Sequence, residues 1–452
     1  MKHIHFIAIG GAGMSGIAKV LLAQGYRVSG SDIKQSEWTQ RLEQLGARVY
    51  IGHRADNING ADLVVVSSAI APGNEELEEA TRRGIRILHR GDMLARLMAG
   101  KKGIGVAGAH GKTTTTSMIA MLLERCGYDP TVLVGGEITD MGGNAKLGSG
   151  DYLVAETDES DGSFLKLRPY IAVVTNIDDD HLDYYGSLES IQQAFASYLD
   201  GVNKEGRCVL CADDGNLRRL AVGRDWPVLW YGIRHPAQWQ AADLRQQGWT
   251  LRFSAFREGR ELGPVQLKVI GEHNVENALA ALAVADTVGI PFQRAAAALE
   301  EFSGVARRLE MVGEVRGVRV LDDFAHHPTE IRATLETVAR ATAGRLICVF
   351  QPHRYSRTRY LASEFGQAFR AADRVLLADI YAGPGETPEP GVDSGLIAQA
   401  LAANGKAVTW LHNRDQLVVE ACRGTRPGDV IMTVGAGDVW ALGAKLLECL
   451  AQ

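Results

Sequence analysis

The stretch GAHGKTTTT, which begins at Gly108, has the residue types that a phosphate-binding loop needs. Gly108 and Gly111 allow the backbone to curl so that its N–H groups point at an anion. Lys112 can then reach the β- and γ-phosphates, and Thr113 can offer its hydroxyl to Mg²⁺. The spacing departs from the common pattern, because Val106 rather than a glycine lies five residues before Gly111. An apolar strand before the loop and a helix after it still favour a nucleoside triphosphate site over a simple turn.

Two clusters of acidic residues follow apolar strands further along the chain, in VAETDESDGSF and in VTNIDDDHLDYYG. Because the carboxyl ends of parallel strands share one edge of a sheet, both clusters are predicted to lie on the side of the phosphate loop. Carboxylates there can hold Mg²⁺ for phosphoryl transfer. We expect one or two of them to do so, and most of the others to be solvated or to cap helices. The candidates are Glu156, Asp158, Glu159, Asp161, Asp178, Asp179, Asp180, His181 and Asp183.

A second glycine-rich turn lies near the start of the chain, in IAIGGAGMSG. The pattern Gly11-x-Gly13-x-x-Gly16 after an apolar strand is typical of a turn that binds the diphosphate of a dinucleotide. Asp32, at the end of the next strand, can contact a ribose. NAD and a nucleotide-linked sugar both carry such a diphosphate, so an NAD-dependent oxidoreductase is one interpretation of this turn. An oxidoreductase leaves the phosphate loop and the acidic clusters unexplained. A non-catalytic nucleotide sensor, which would bind ATP without turning it over, is a further alternative.

Basic residues follow an apolar strand in the last third of the chain. RLICVFQPHRYSRTR places Arg354, Arg357 and Arg359 in a loop after the strand RLICVF. Guanidinium groups suit a carboxylate ligand better than ammonium groups do. His326 and His327 precede Pro328 in a similar loop, and by themselves they fit a structural role as well as a catalytic one. The residues alone therefore predict an anion-binding loop but leave the histidines open.

The elements that must position these loops repeat a strand–loop–helix pattern along 452 residues, of which 46% are apolar. A chain of this length and composition predicts roughly three α/β domains. We place them at 1–98, 99–309 and 310–452. The first and last are expected to be Rossmann-like, and the central one to be an ATPase-type α/β domain with the phosphate loop.

Composition excludes several other classes of protein. The net charge is −6, so a nucleic-acid partner is not expected. Since no apolar run reaches the ~18 residues of a membrane span and no leader pattern is present, we expect a cytoplasmic protein with no membrane partner. The six cysteines are scattered, which indicates a reducing compartment. Cys208 and Cys211 have CxxC spacing, but RCVLC is predicted to be a buried strand rather than a metal site.

Eight motifs, in this order, resemble those of the Mur ligases: IGGAGMSG, GAHGKTTTT, AETDESDGSF, NIDDDHLDYYG, GEHNVENALAA, GVARRLE, LDDFAHHPTE and FQPHRYSRTR. The resemblance covers essentially the whole chain. It implies an ATP-dependent amide-bond ligase of peptidoglycan precursor synthesis, with one domain for a UDP-sugar, a central ATPase domain and a third for nucleotide and amino acid. The implied reaction activates a carboxylate as an acyl phosphate, and an amine then attacks it.

The resemblance also implies roles for individual residues. The residues implied in catalysis are Lys112, Arg308, His326, Arg354 and Arg357. The residues implied in ATP binding are Gly108, Ala109, His110, Gly111, Lys112, Thr113, Thr114, His273, Asn274, Asn277, Arg308 and Asp323. The residues expected around the UDP-sugar are Gly10, Gly11, Ala12, Gly13, Met14, Ser15, Asp32 and Ser68, with a helix that begins near Met14. The positions associated with Mg²⁺ are Thr113, Glu156 and His181.

The sequence departs from the family pattern at two positions. Ala109 stands where many members have Thr, and Phe324 stands where Tyr is common. DESDGSF is more similar to the alanine-adding branch, which implies UDP-N-acetylmuramate, L-alanine and ATP as substrates with Mg²⁺. A recycling ligase that attaches a whole tripeptide is the alternative within the family. We expect the domains to close on binding, and the sequence leaves a homodimer open.

Overall fold

The computed structural model describes residues 2–383 and 386–452, and within them the strands form three separate sheets. The described residues divide into two compact units. Among them, the first unit comprises 2–243, 253–266 and 275–302, and the second comprises 244–252, 267–274, 303–383 and 386–452. Among the described residues, no helix combines the length and apolar character that crossing a bilayer requires.

The first sheet has the strand order β3-β2-β1-β4-β5, and all its neighbouring strands run parallel. Its strands are β1 (His3–Ile7), β2 (Arg27–Asp32), β3 (Arg48–Ile51), β4 (Leu63–Val66) and β5 (Arg86–His89). Its helices are α1 (Ala12–Ala23), α2 (Glu37–Gln44), α3 (Glu75–Arg82) and α4 (Arg90–Ala99). The strand order reverses at β1, and ligands of open α/β sheets bind at such a point.

The second sheet has the order β15-β14-β13-β12-β11-β10-β6-β9-β7-β8. Its strands are β6 (Lys102–Ala107), β7 (Thr131–Ile138), β8 (Gly143–Lys146), β9 (Tyr152–Glu156), β10 (Ile171–Val174), β11 (Arg207–Cys211), β12 (Val228–Gly232), β13 (Trp239–Gln247), β14 (Thr250–Arg257) and β15 (Arg260–Leu267). The helices of this region are α5 (Lys112–Arg125), α6 (Leu182–Tyr185), α7 (Leu188–Asp200), α8 (Gly215–Ala221), α9 (Glu272–Thr287) and α10 (Phe292–Glu301). The central strands are continuous apolar runs, as is typical of a parallel sheet covered on both faces.

The third sheet has the order β16-β17-β21-β18-β19-β20, in which only the pair β16–β17 is antiparallel among the described strands. Its strands are β16 (Glu310–Val315), β17 (Val318–Asp323), β18 (Leu346–Phe350), β19 (Arg374–Leu377), β20 (Val408–Trp410) and β21 (Val430–Val434). Its helices are α11 (Pro328–Ala341), α12 (Tyr355–Tyr360), α13 (Ala362–Ala368), α14 (Gly395–Ala403), α15 (Arg414–Cys422) and α16 (Leu442–Ala451). Apolar clusters cover both faces of this sheet.

The predicted strand RCVLC is confirmed as β11, and both of its cysteines are buried. Burial raises the pKa of Cys208 to about 12, so this thiol stays protonated and is a poor metal ligand. The interpretation of CxxC as a buried strand is therefore confirmed.

Candidate active site

The phosphate loop joins β6 to α5 in the first unit, and two of its glycines have conformations that other residues rarely adopt. Gly108 has a φ of +133° and Gly111 a φ of +81°. A Cβ on Gly108 would lie 2.1 Å from Oγ1 of Thr175, so no larger residue fits there. The amide of His110 donates to Oδ1 of Asn176 over 2.8 Å, and the His110 carbonyl accepts from Oγ1 of Thr175 over 2.6 Å. The residues that follow β10 therefore hold the loop in shape.

Lys112 begins α5, and its ammonium is turned back onto the loop. Nζ donates to the carbonyl of Gly108 over 2.6 Å and to that of Ala109 over 3.2 Å. It also lies 2.6 Å from Oε1 of Glu159, whose side chain is only 4% exposed. Burial alone lowers the pKa of Lys112, but the carboxylates of Glu159 and Glu156 outweigh it, so the pKa is raised. The ammonium is thus charged and already engaged by oxygens of the protein itself.

Two of the three residues predicted for Mg²⁺ lie side by side at the start of α5. Oγ1 of Thr113 donates to Oε1 of Glu156 over 3.0 Å, and Oε2 of Glu156 accepts from the amide of Gly135 over 2.6 Å. Hydroxyl and carboxylate oxygens are the ligands that Mg²⁺ prefers. Both side chains are next to Lys112 in the fold, so this donor set fits a divalent ion beside bound phosphates.

Asn277 on α9 lies against the same loop within the first unit. Its Oδ1 accepts from Oγ1 of Thr115 over 2.9 Å, and a Cβ on Gly111 would lie 2.9 Å from it. Thr114 lies in the first turn of α5 beside Thr115 and is half-buried. The structure therefore brings Asn277 together with the phosphate loop, although 162 residues separate it from Thr115.

The second acidic cluster follows β10 and surrounds His181, which precedes α6 with a φ of +61°. Its Nε2 lies 3.6 Å from Oδ2 of Asp180 and 3.8 Å from Oε1 of Glu159. Glu159 belongs to the first acidic cluster, so its contact with His181 links the two clusters. The same oxygen of Glu159 also contacts Lys112. Burial raises the pKa of Glu159 above its usual range, and the ammonium of Lys112 opposes this shift. The side chain of Asp183 lies outside the described part of the structure.

Basic side chains pair with several of these acidic residues, although the side chain of Asp158 remains 40% exposed and Asp179 is exposed. Asp158 and Asp161 form ion pairs with Arg90, at 2.8 Å and 3.4 Å. Oδ2 of Asp178 lies 3.0 Å from Nε2 of His110 on the phosphate loop. The physical reason is that the clusters sit at strand ends inside the fold, where basic side chains from other elements reach them.

The glycine-rich turn of the first sheet leads into α1, which begins at Ala12 rather than near Met14. The amide of Gly10 donates to Oδ2 of Asp32 over 2.9 Å. The side chain of Met14 is buried in the core, and the buried hydroxyl of Ser15 donates to the carbonyl of Ala12 over 3.0 Å. The turn therefore presents backbone rather than side chains, as close approach to a diphosphate requires.

Asp32 and Ser68 flank this turn from two sides. Asp32 ends β2, and Ser68 is an exposed residue shortly after β4. Since β2 and β4 are the two neighbours of β1, the two side chains lie on either side of the turn after β1. Gly11 caps the N-terminus of α1 and is exposed, with no side chain to obstruct a ligand.

A cavity of about 280 Å³ in the first unit is lined by residues from both glycine-containing loops. Gly13 and Arg90 line it from the first sheet, and Lys112, Glu156 and Asp158 line it from the second. This volume is close to the lower end of the range for small-molecule sites. The turn predicted for the UDP-sugar and the loop predicted for ATP therefore open into one space.

Arg90 is a residue of this cavity that the sequence interpretation missed. It begins α4, and its guanidinium reaches from the first sheet to Asp158 and Asp161 of the second. A Cβ on Gly13 would lie 2.9 Å from its NH1 atom, so Gly13 leaves room for the guanidinium. One signal was present in the sequence, because Arg90 directly follows β5 and lies at the same sheet edge as the glycine-rich turn.

Two further contacts join the helices of the first sheet to the second sheet. Nδ2 of Asn144 on β8 donates to the carbonyl of Ala12 over 2.7 Å and to Oγ of Ser15 over 3.1 Å. NH1 of Arg41 donates to Oε1 of Glu137 over 2.9 Å. Asn144 therefore supports the glycine-rich turn directly, whereas the Arg41–Glu137 pair lies outside the cavity lining.

In the second unit, Asp323 is a buried carboxylate at the end of β17. It accepts hydrogen bonds from the amides of Leu309 and Ala325, both over 2.8 Å. Burial raises the pKa of Asp323 to about 6, and the nearby guanidinium of Arg308 opposes the shift. That guanidinium lies 5.1 Å from the ring centre of Phe324. Phe324 therefore makes a cation–π contact with Arg308 beside Asp323.

His326 follows β17 and Arg354 follows β18 in the second unit, whereas Arg357 and Arg359 lie in the short helix α12 rather than in the predicted loop. The ring of His326 packs edge-on against that of His353 with centroids 5.9 Å apart. NH1 of Arg357 lies 3.5 Å from Nδ1 of His353. Burial lowers the pKa of His353 to about 3, and His326, Arg357 and Arg354 add to this effect. His353 is therefore neutral, and its ring lies between His326 and Arg357.

His327 and Glu386 are structural residues of these loops. Nδ1 of His327 accepts from the amide of Thr329 at the N-terminus of α11, which favours the structural role for this histidine. The Glu386 carboxylate accepts from the amides of Tyr355 and Ser356, both over 3.0 Å. Glu386 thus fixes the start of α12, a function that the sequence interpretation missed.

His273 and Asn274 belong to the second unit at the start of α9. Burial lowers the pKa of His273 to about 4, and the charge of Arg308 adds to the effect. Nδ2 of Asn274 donates to the carbonyl of Ile270 over 2.8 Å. A Cβ on Gly271 would lie 2.5 Å from Cε1 of His273, so the glycine is required for this arrangement.

Three family models match consecutive segments of the chain. Residues 3–102 match the "Mur ligase family, catalytic domain", residues 106–285 the "Mur ligase middle domain" and residues 307–437 the "Mur ligase, glutamate ligase domain". The chain belongs to the Mur ligase family. Mur ligases are ATP-dependent enzymes that form amide bonds, and this Mur ligase is an enzyme of that class. The predicted family and the predicted fold of three α/β domains are confirmed.

Curated relatives match this Mur ligase over its full length. One from Pelotomaculum thermopropionicum is 50% identical, is covered over 98% of its length and is named UDP-N-acetylmuramate–L-alanine ligase; the match covers 100% of this chain. The crystal structure of a UDP-N-acetylmuramate–alanine ligase from Thermotoga maritima has a TM-score of 0.85, 31% identity and 99% coverage of both chains. A murein peptide ligase from Psychrobacter arcticus has a TM-score of 0.74, 28% identity and coverage of 100% of this chain and 99% of its own.

Proposed function

We propose that this Mur ligase joins L-alanine to the carboxylate of UDP-N-acetylmuramate at the expense of ATP, as a step of peptidoglycan precursor synthesis. The observation that carries the proposal is the single cavity lined by both Gly13 and Lys112. A sugar nucleotide held at the glycine-rich turn and a triphosphate held at the phosphate loop would extend into the same space. That is the requirement for phosphoryl transfer from one substrate to the other.

Within the first unit, the proposed ATP site consists of the phosphate loop with Lys112 and Asn277. By the family resemblance, we also assign Arg308 and Asp323 of the second unit a role in ATP binding. Thr113 and Glu156, with His181, would hold Mg²⁺. When bound, this ion neutralises charge on the phosphates and orients them. The oxygen donors of Thr113 and Glu156, 3.0 Å apart, support this assignment.

In the first step, a carboxylate oxygen of the muramoyl group attacks the γ-phosphorus of ATP. The bond from phosphorus to the bridging oxygen breaks, and ADP leaves with an acyl phosphate formed. Two anions approach one another, so cations must offset their repulsion. Lys112 supplies one positive charge at the phosphates, and Arg90 supplies another at the sugar side of the cavity.

In the second step, the amine of L-alanine attacks the acyl carbon, phosphate leaves and the nitrogen loses a proton. We assign His326, Arg354 and Arg357 to the region of the sugar carboxylate and the incoming amino acid. The neutral ring of His353 lies near His326 and Arg357, which supports a common role for the two residues. A guanidinium offers planar, paired donors that match a carboxylate.

Two alternatives are separated from this proposal by experiment. A tripeptide-adding recycling ligase shares the fold, but the full-length relatives with the highest identity reported above carry the alanine-adding name. An NAD-dependent oxidoreductase is not compatible with the family. ADP release with UDP-N-acetylmuramate should require L-alanine, and mass spectrometry should detect the alanyl amide. Turnover with the tripeptide alone would overturn the proposal.

A cytoplasmic location completes the proposal, and a homodimer stays open. Cell fractionation with an antibody against the chain tests the location. Light scattering after size-exclusion chromatography measures the oligomeric state.

A further inference from the structure

A second cavity, of about 480 Å³, lies in the first unit at the amino ends of the strands of the first sheet. Its floor is formed by apolar side chains from two strands and from the helices α1 and α4. These are Ile4, Leu21, Leu63, Met93 and Leu97. The glycine-rich turn follows the carboxyl end of β1, so this second cavity lies at the opposite end of the strands from the proposed catalytic cavity. The two cavities share no lining residue.

Four basic residues surround the mouth of this second cavity: Lys2, Arg86, Arg96 and Lys101. Over residues 2–383 and 386–452, no carboxylate oxygen lies within 4.0 Å of the charged groups of Lys2, Arg86 or Arg96. Lys101 donates only to the carbonyl of Gly150. The cluster is a local exception in a chain with a net charge of −6.

One carboxylate, Asp62, also lines the second cavity, and its Oδ2 accepts a hydrogen bond from the amide of His3 over 2.8 Å. It offsets one of the four positive charges. The C-terminal end of α4 at Gly100 adds a partial negative charge but supplies no counter-ion. A net excess of cations over an apolar floor is therefore left for a ligand.

We propose that this second cavity binds a small organic anion that combines a carboxylate, sulfonate or phosphate with an aromatic or aliphatic body. Arg86 and Arg96 would pair with the anionic group, since guanidinium donors form paired, charge-assisted hydrogen bonds with such groups. The apolar floor would remove the body of the ligand from water. The volume lies within the range of small-molecule sites.

The test uses two fluorescent probes with the same aromatic body, measured on the full chain. The anionic probe is 1-anilinonaphthalene-8-sulfonate, and the neutral probe is N-phenyl-1-naphthylamine. Each probe is titrated into protein that is already saturated with UDP-N-acetylmuramate and a non-hydrolysable ATP analogue. The proposed catalytic cavity is then occupied before the probe is added. We expect saturable binding of the anionic probe that weakens as salt is added, and clearly weaker binding of the neutral probe.

The double variant Arg86→Ala/Arg96→Ala should raise the dissociation constant of the anionic probe by about fivefold to tenfold. The matched control is Arg82→Ala/Arg83→Ala, which removes the same charge from arginines of α3 and its C-terminus that pair with Glu79 outside this cavity. All four arginines are on the surface, and thermal unfolding checks that both variants fold. Equal loss in both variants, no loss in either, or no saturable binding of the anionic probe while the two catalytic-site ligands are present would overturn the proposal.

Discussion

Oε1 of Glu159 and Nζ of Lys112 lie 2.6 Å apart in the first unit, and the Glu159 side chain is almost completely buried. The ammonium that is proposed to bind ATP is therefore already paired with a carboxylate of the protein. A triphosphate has to compete with that carboxylate for Lys112, so Glu159 is expected to set how tightly ATP binds.

Replacing Lys112 by Ala removes the ammonium from the phosphate loop. We expect the rate of ADP release to fall by at least about 100-fold, because a preorganised charge at a transferring phosphoryl group typically contributes this much. The measurement is a coupled ADP assay with all three substrates. Lys146→Ala is the control, since Lys146 pairs with Glu124 and Asp129 away from the loop. Activity retained in Lys112→Ala would refute the assignment.

Replacing Glu159 by Gln keeps the size of the side chain but removes the competing charge. The dissociation constant of a non-hydrolysable ATP analogue should fall by about fivefold, because a charged hydrogen bond to Lys112 is exchanged for a weaker neutral one. Isothermal titration calorimetry measures the change. Asp161→Asn removes a carboxylate that pairs with Arg90 instead and should leave ATP affinity unchanged. Weaker ATP binding in Glu159→Gln would contradict the idea that Glu159 and the triphosphate compete for Lys112.

Replacing Glu156 by Gln weakens the oxygen donor that lies beside Thr113. The Mg²⁺ concentration for half-maximal ADP release should rise by at least about tenfold, since even outer partners of a metal site have effects of this size. Electron paramagnetic resonance of bound Mn²⁺ provides a readout independent of turnover. Asp179→Asn, at the exposed position of the second cluster, is the control. An unchanged requirement for Mg²⁺ would remove Glu156 from the metal site.

Replacing Arg90 by Ala removes the guanidinium that reaches across the catalytic cavity. The KM for UDP-N-acetylmuramate should rise by about tenfold or more, because a charge-assisted contact in a cavity is lost, while ATP affinity stays the same. Arg90→Lys should restore little, since a lysine cannot make paired contacts. Arg41→Ala breaks another ion pair between these parts of the fold, the one with Glu137, and should leave the KM unchanged. A purely structural role for Arg90 predicts equal effects of the two alanine variants.

The raised pKa of Asp323 predicts a pH dependence of stability. Between its ordinary pKa of 3.8 and its folded pKa of about 6, the folded protein holds a proton that the unfolded chain has lost. The free energy of unfolding contributed by this group therefore falls as the pH rises through that window. As the pH rises from the lower to the upper end of this window, the free energy of unfolding of Asp323→Asn should increase by roughly 2–3 kcal/mol relative to that of the wild type.

Denaturant unfolding at a series of pH values measures this difference. Asp415→Asn is the control, because Lys445 lowers the pKa of this exposed carboxylate and the sign of its contribution is opposite. A stability difference between Asp323→Asn and the wild type that does not change with pH would contradict a raised pKa.

Much of the fold was predictable because short-range chemistry specifies it. Apolar runs such as RLICVF and IAVV have the length and composition of buried parallel strands, and glycines follow β1 and β6 where tight turns are needed. The phosphate loop was predicted in spite of its irregular spacing, because Gly108 and Gly111 permit its backbone conformation. The start of α1 was misplaced by two residues, since neither Gly11 nor Ala12 has a side chain that signals a helix start.

Contacts between residues far apart in the chain were not predictable in the same way. The buried carboxylate of Glu159 pairs with Lys112, which lies 47 positions away, and Arg90 reaches Asp158 across 68 positions. Nothing in DESD distinguishes a carboxylate that pairs with lysine from one that pairs with arginine. The choice depends on which basic side chain the packed sheets bring to each oxygen.

The sequence by itself determined the family, the α/β class and the two glycine-containing loops, because these depend on residue types at fixed spacings along a strand, a turn and a helix. Only the tertiary structure decided which side chains share the proposed catalytic cavity and which charges are already paired before a substrate binds. The physical reason is that ion pairs and burial are set by distances through space. Parallel strands place residues that are remote in the sequence at one edge of a sheet, and there Arg90, Lys112 and Glu159 meet their partners.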